Sequence, residues 1–179
     1  MRTYSLVLRH GITLTVFNKM KQVTLTTDGA CIGNPGPGGW ACILRHKDHV
    51  RELSGAEPNT TNNKMELRAV IEGLRALKGP CAVVMRTDSS YVRDGMTKWL
   101  QNWKSKGWVR KQRGNPGMQP IKNRELWEEI ELLRRRHRVV WKWVKGHAND
   151  EDNKRCDALA KTAAHSNRIP GVALGIRNS

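Results

Sequence analysis

Acidic residues are scarce in this 179-residue chain: 16 Asp and Glu stand against 32 Lys and Arg, for a formal charge of +16 and a pI near 10.3. Such an excess of one sign favours a polyanionic partner. Long apolar runs are missing too. No stretch approaches the ~18 apolar residues of a membrane-spanning helix, and the longest uncharged run, 29–44, holds five glycines and two prolines. A transmembrane helix is thereby excluded, and no membrane is expected as partner. Cysteine is limited to Cys31, Cys42, Cys81 and Cys156, with no C-x-x-C pair to suggest a zinc site. Free, buried thiols in a reducing compartment, the cytoplasm, are the simpler expectation. Near the N-terminus, Arg9 and His10 interrupt the apolar segment that a secretory signal needs.

What is present reads as one ordinary globular domain: 38% hydrophobic residues with 16 glycines and a length that can enclose a single core. Residues 1–19, basic and without acids, read as a disordered extension; residues 166–179 read as a flexible tail. From Lys21 the side chains alternate through Val23, Leu25 and Thr27 and end at Asp28-Gly29, the pattern of a strand that delivers an aspartate to its end. A Gly/Pro loop is expected over 33–39, followed by strands at Trp40–Arg45 and Val50–Gly55 joined around Lys47-Asp48. Thr60 or Thr61 then caps a helix whose Leu67, Val70, Ile71, Leu74 and Leu77 recur at helical spacing, with Glu66 at the margin of that stripe. Cys81–Thr87 reads as a buried strand that again ends in an aspartate, Asp88. Helix to about Lys106, helix over 123–136, strand over 139–144 and helix from Asn153 to about Ala164 complete a mixed α/β sheet with helical crossovers.

Charge is also distributed unevenly. Between Gly95 and Arg124 there are eight Lys or Arg and not one carboxylate, with Trp99, Trp103 and Trp108 interleaved. In contrast, Asp28 and Asp88 would meet if their strands are parallel neighbours, because sites in such sheets form at the carboxyl ends of strands. Glu66 and Asp157 could join them. Clustered carboxylates resist ionising together unless a cation shares the site, and hard oxygen ligands favour Mg²⁺. Taken singly, each acid has a plainer explanation as turn chemistry or helix-surface charge.

The surrounding residues form four blocks: Thr27-Asp28-Gly29-Ala30-Cys31-x-Gly33-Asn34-Pro35-Gly36; Thr60-Thr61-Asn62-Asn63-Lys64-Met65-Glu66; Thr87-Asp88-Ser89-x-Tyr91; and Trp141-x-Trp143-Val144-Lys145-Gly146-His147, followed by Asn153-x-x-x-Asp157. In order and content they resemble type 1 ribonuclease H, over about residues 20–165, and the basic stretch 98–124 resembles the handle of the bacterial subtype. The resemblance implies a ribonuclease H-like α/β fold, a five-stranded mixed sheet flanked by helices. It implies an endonuclease that hydrolyses the RNA strand of RNA/DNA hybrids and leaves 5′-phosphate and 3′-hydroxyl ends. Two Mg²⁺ ions, with Mn²⁺ able to substitute, would be carried by Asp28, Glu66, Asp88 and Asp157, Asp28 bridging. His147 would assist proton transfer or product departure. Carried over by position, Cys31, Asn34 and Asn63 would meet the 2′-hydroxyls of the RNA, Thr61, Asn62 and Asn123 a DNA phosphate, and Trp99 the DNA channel. Ser90 stands where related enzymes usually have Gln, Asn59 where an Arg is frequent, and the handle loop Val109–Gln119 is several residues longer. The chain is expected to act as a monomer.

Two other classes remain open on sequence alone. A transposase-, integrase- or resolvase-like DNA nuclease would share the sheet and the acids, and a silent hybrid-binding module would keep the fold without cutting. A calcium loop at Asp150, Asp152 and Asn153 lacks the Gly and closing Glu of an EF-hand.

Overall fold

The structure, a computed structural model, describes residues 3–7, 13–17, 20–111, 113–144, 150–166 and 177–178. Two short strands, β1 (Thr3–Val7) and β2 (Thr13–Phe17), pair antiparallel with each other. Disorder is expected there from the charge, but the segment is rich in Thr, Val, Leu and aromatic residues, and these suit a pleated ribbon.

The central sheet is built from β3 (Lys21–Cys31), β4 (Gly36–His46), β5 (His49–Thr60), β6 (Cys81–Thr87) and β9 (Arg138–Trp143). Their order is β5-β4-β3-β6-β9, with β3, β4 and β5 antiparallel and β6 and β9 parallel to β3. A two-residue strand, β10 (Arg177–Asn178), adds to the edge at β5, within the segment expected to be a flexible tail. Apart from β10, this is the expected five-stranded mixed sheet. The β4–β5 hairpin turns at Lys47-Asp48 as the sequence predicts, His46 facing His49.

One expectation changes. The Gly/Pro segment continues into β4 from Gly36 instead of remaining a loop. Its glycines serve close approach: a Cβ on Gly39 would lie 2.2 Å from the carbonyl oxygen of Ala160, so helix α5 (Glu151–Ser166) can lie directly on the strand only because none is there.

Helix α1 (Asn62–Arg75) starts where Thr61 Oγ1 accepts a hydrogen bond from the Lys64 backbone N–H at 3.4 Å. Its apolar stripe, Leu67, Val70, Ile71 and Leu74, packs with Leu25, Val83 and Met85 of the sheet. After β6 the chain passes through α2 (Ser90–Asp94), a π-helical turn at Gly95–Trp99, and α3 (Leu100–Ser105). It then forms a hairpin of β7 (Val109–Lys111) and β8 (Met118–Pro120) before α4 (Arg124–Arg134). Trp127 is fully buried, Trp103 and Trp108 nearly so, and Tyr91, Trp127, Trp103 and Trp99 pack in series in tilted and edge-to-face contacts with ring centroids 5.1–5.6 Å apart. The tryptophans interleaved with the basic run are therefore mostly anchors that seat the handle on the domain, with Trp99 at the exposed end. All four cysteines are free, and Cys42, Cys81 and Cys156 are buried.

Candidate active site

The topology brings the acids together. Parallel pairing of β3 with β6 puts Asp28, near the end of β3, beside Asp88, which follows β6 directly. Glu66 reaches them from the second turn of α1 because Gly29 permits contact: a Cβ there would lie 2.3 Å from the backbone nitrogen of Glu66. Asp-Gly at this point is therefore not turn chemistry. The glycine makes room for the helix that carries the second acid. Oxygens of Asp28, Glu66 and Asp88 lie within 4.8 Å of one another.

Asp28 is 6% exposed and Glu66 5%. Burial first, then the negative charges of Asp88 and Asp157, push the Asp28 carboxyl up to about 7, against the opposing pull of the Gly29 N–H and Lys161. Burial, Asp28 and Asp88 hold Glu66 well above the ordinary carboxylate range, opposed by hydrogen bonds from Asn62 and Gly29. One carboxylate oxygen of Glu66, Oε2, is buried without a hydrogen-bond partner. An orphaned acceptor among like charges is the environment that a cation would satisfy.

Asp157 lies on α5, close enough to act on Asp28, but it stands outside the three-acid cluster and accepts a hydrogen bond from Lys161 Nζ at 2.8 Å. The start of α5 is fastened to its surroundings by three side chains outside the expected catalytic set. Asp150 pairs with Arg86, Asp152 forms two 2.6 Å bonds to Arg45, and Asn153 Nδ2 donates to Asp88 Oδ2 at 3.0 Å. Asp150 and Asp152 are thus occupied by arginines, which disposes of the calcium-loop reading. The available signal for Asn153 is its spacing: four residues before Asp157, it lies on the same helix face. His147 lies outside the described residues.

The polar candidates have distinct settings. Cys31 directs its thiol at the carbonyls of Thr60 (3.5 Å) and Gly36 (3.6 Å). Asn34 Oδ1 accepts from the Asn62 backbone N–H at 3.3 Å, which ties the loop after β3 to the start of α1. Asn34, Asn63 and Ser90 are exposed, whereas Asn62 lies against Glu66 and Thr61 caps the helix. Asn123, in the left-handed region at φ 58°, donates through Nδ2 to the Tyr91 hydroxyl, which also accepts from Trp127 Nε1. Trp143, 45% exposed, donates from Nε1 to the Asp88 carbonyl at 3.3 Å and carries the Arg93 guanidinium 5.5 Å over its ring.

On the handle, Lys98 pairs with Asp94, Lys104 with Glu131 and Arg124 with Glu128. Lys106, Arg110, Lys111, Arg113 and Lys122 are exposed and have no acidic partner among the described residues.

Residues 20–165 match the family model described as RNase H. A protein named Ribonuclease H from Erythrobacter litoralis (strain HTCC2594) is 54% identical over 145 residues, 81% of this chain and 97% of that protein. Another of that name from Xanthomonas campestris pv. campestris (strain 8004) is 48% identical over 83% of this chain and 96% of its own length. Among solved structures, LC9-RNase H1, described as a type 1 RNase H with the type 2 active-site motif, superposes with a TM-score of 0.75 at 34% identity, covering 90% of this chain and 79% of that one. The converged acids, the sheet that converges them and these relatives agree that the chain belongs to the ribonuclease H family of endonucleases.

Proposed function

We propose that the chain hydrolyses the RNA strand of RNA/DNA hybrids, leaving 5′-phosphate and 3′-hydroxyl ends, with residues 20–165 as the catalytic domain and 98–124 as its basic handle. The observation that carries this reading is the convergence of Asp28, Glu66 and Asp88, two of them buried, in a chain of charge +16. The residues fit a metal: the donors are all hard oxygens, one of them is an orphaned buried acceptor, and Asp28 and Glu66 resist ionising beside each other and Asp88 in the absence of a cation. Asp28, Glu66, Asp88 and Asp157 would hold two Mg²⁺ ions, or Mn²⁺ in their place. When bound, the ions supply Lewis-acid stabilisation of charge on the phosphodiester and lower the pKa of the attacking water.

The rest of the work falls to the chain itself. The unpaired handle cations bind and orient the DNA backbone, each phosphate neutralised steepening the salt dependence. Short polar groups at the end of β3 and the start of α1, Cys31, Asn34 and Asn63, face the RNA minor groove, where a 2′-hydroxyl can be recognised. Thr61, Asn62 and Asn123 hold a DNA phosphate, Trp99 lines the channel and Ser90 reads the groove beside Asp88. His147 relays a proton at the leaving side. The protein works as a monomer in the cytoplasm, a setting supported by its four free thiols.

Cleavage of end-labelled RNA/DNA hybrid, duplex RNA, single-stranded RNA and duplex DNA, each with Mg²⁺ and with a chelator, tests the proposal. Metal-dependent cutting confined to RNA in the hybrid is expected. Cutting of duplex DNA would favour a recombinase-like nuclease, and binding without cutting would favour a silent module.

A further inference from the structure

The three clustered acids are not held alike. Asp28 lies within β3 and is paired across to Ala41, and Glu66 is fixed by the contact of α1 with Gly29. Asp88 has neither support. It lies one residue past β6, whose ladder ends at Thr87 opposite Trp143, and its side chain is only partly buried. Two bonds from other elements hold it: Trp143 Nε1 to its carbonyl and Asn153 Nδ2 to its Oδ2.

Asn153 is 3% exposed. The amide presents its NH₂ to Asp88 and so turns its oxygen away. That oxygen, Oδ1, is buried with no partner, and a buried polar atom left in this state is costly. Asn153 is therefore held by a requirement other than its own satisfaction. The ion pairs of Asp150 with Arg86 and Asp152 with Arg45 brace the residues just before the contact, and the Asn153 backbone N–H donates to Asp150 Oδ1 at 3.3 Å.

We infer that Asn153 is a positioning residue that sets the orientation of the Asp88 carboxylate toward the cation site, so that the docking of α5 assembles the metal site as well as supplying Asp157. The inference rests on the metal reading above. Groups that orient a ligand carboxylate typically change metal affinity 10–100-fold when removed.

The test is Mn²⁺ titration of the full chain by calorimetry, beside thermal unfolding of the metal-free protein, for the parent, Asn153→Ala and Asn153→Ser. Asn153→Ala is expected to weaken Mn²⁺ binding about tenfold or more while metal-free unfolding stays close to the parent. Asn153→Ser, which keeps a small donor, should recover part of the affinity. Mn²⁺ affinity of Asn153→Ala within about twofold of the parent, well under that expected change, would overturn the inference. If Asn153→Ala does not fold, Asn153→Leu, which keeps a similar volume without a donor, takes its place, and parent-like Mn²⁺ affinity in it would do the same. Failure of the parent itself to bind Mn²⁺ would instead strike at the metal reading, so the two failures are distinguishable.

Discussion

The acid cluster and the basic handle are both collections of like charge, and they solve the resulting repulsion in opposite ways. The handle leaves Lys106, Arg110, Lys111, Arg113 and Lys122 in solvent, where water and salt screen them. The cluster removes Asp28 and Glu66 from water and sets them against Asp88, so that Asp28 ionises only near pH 7 and Glu66 resists more strongly than an ordinary carboxyl. Exposed like charge is a surface waiting for a polyanion; buried like charge is a site waiting for a small cation. The first governs grip and the second governs chemistry, and mutations should separate the two.

The largest effects belong to the cluster. Asp88→Asn should lower hybrid cleavage by about 10³-fold or more while hybrid binding is kept or strengthened, as gel-shift and single-turnover assays would show. Undiminished cleavage in this variant would remove Asp88 from the metal set. Next comes Gly29→Ala, whose new methyl would meet the backbone of Met65 and Glu66 at 2.5 and 2.3 Å. Both chains of atoms are backbone and cannot swing aside, so a loss of about 3 kcal/mol or more in urea unfolding is expected; parent-like stability would mean that α1 is not seated on β3 in this way.

Handle changes should be gentler and different in kind. The double variant Arg110→Ala/Lys111→Ala should reduce the slope of log K against log salt by about 2 while leaving the rate at saturating hybrid unchanged. A fall in the saturated rate, with an unaltered slope, would erase the division between grip and chemistry. The smallest effect is reserved for Ser90→Gln, which should shift the positions of cleavage along the RNA with little change in overall rate. An identical cleavage ladder would take Ser90 out of the substrate contacts.

Much of this organisation is legible in the residues. The β3 alternation, the helical stripe beside Glu66 and the apolar run ending at Asp88 are local patterns that the structure realises, although β3 runs three residues past Asp28 to Cys31. The extension of β4 back to Gly36 is hidden because the glycines read locally as a loop, whereas Gly39 answers to α5, more than a hundred residues away, and Gly38 to Thr60 and Met65. Asn153 is legible only in part: its spacing puts it on the helix face of Asp157, but the side chain it holds lies 65 positions earlier. Asp150 and Asp152 were equally ambiguous, since only the fold shows that their charges are taken by Arg86 and Arg45. Acid-to-acid convergence follows from topology; what fastens it follows from packing.

Relief of buried carboxylate repulsion by a divalent cation is measurable as thermal unfolding at pH 5 and pH 8, with chelator and with Mg²⁺. A carboxyl raised from 3.8 to about 7 keeps its proton in the folded chain after the unfolded chain has lost its own. The Asp28 contribution to metal-free stability is therefore greatest below pH 3.8 and is lost as pH rises through about 7, at up to about 1.4 kcal/mol per pH unit. Mg²⁺ binds the ionised form and should act in the opposite sense, raising the melting temperature clearly at pH 8 and little at pH 5. An equal Mg²⁺ effect at both pH values, or none at pH 8, would show that no cation relieves this repulsion.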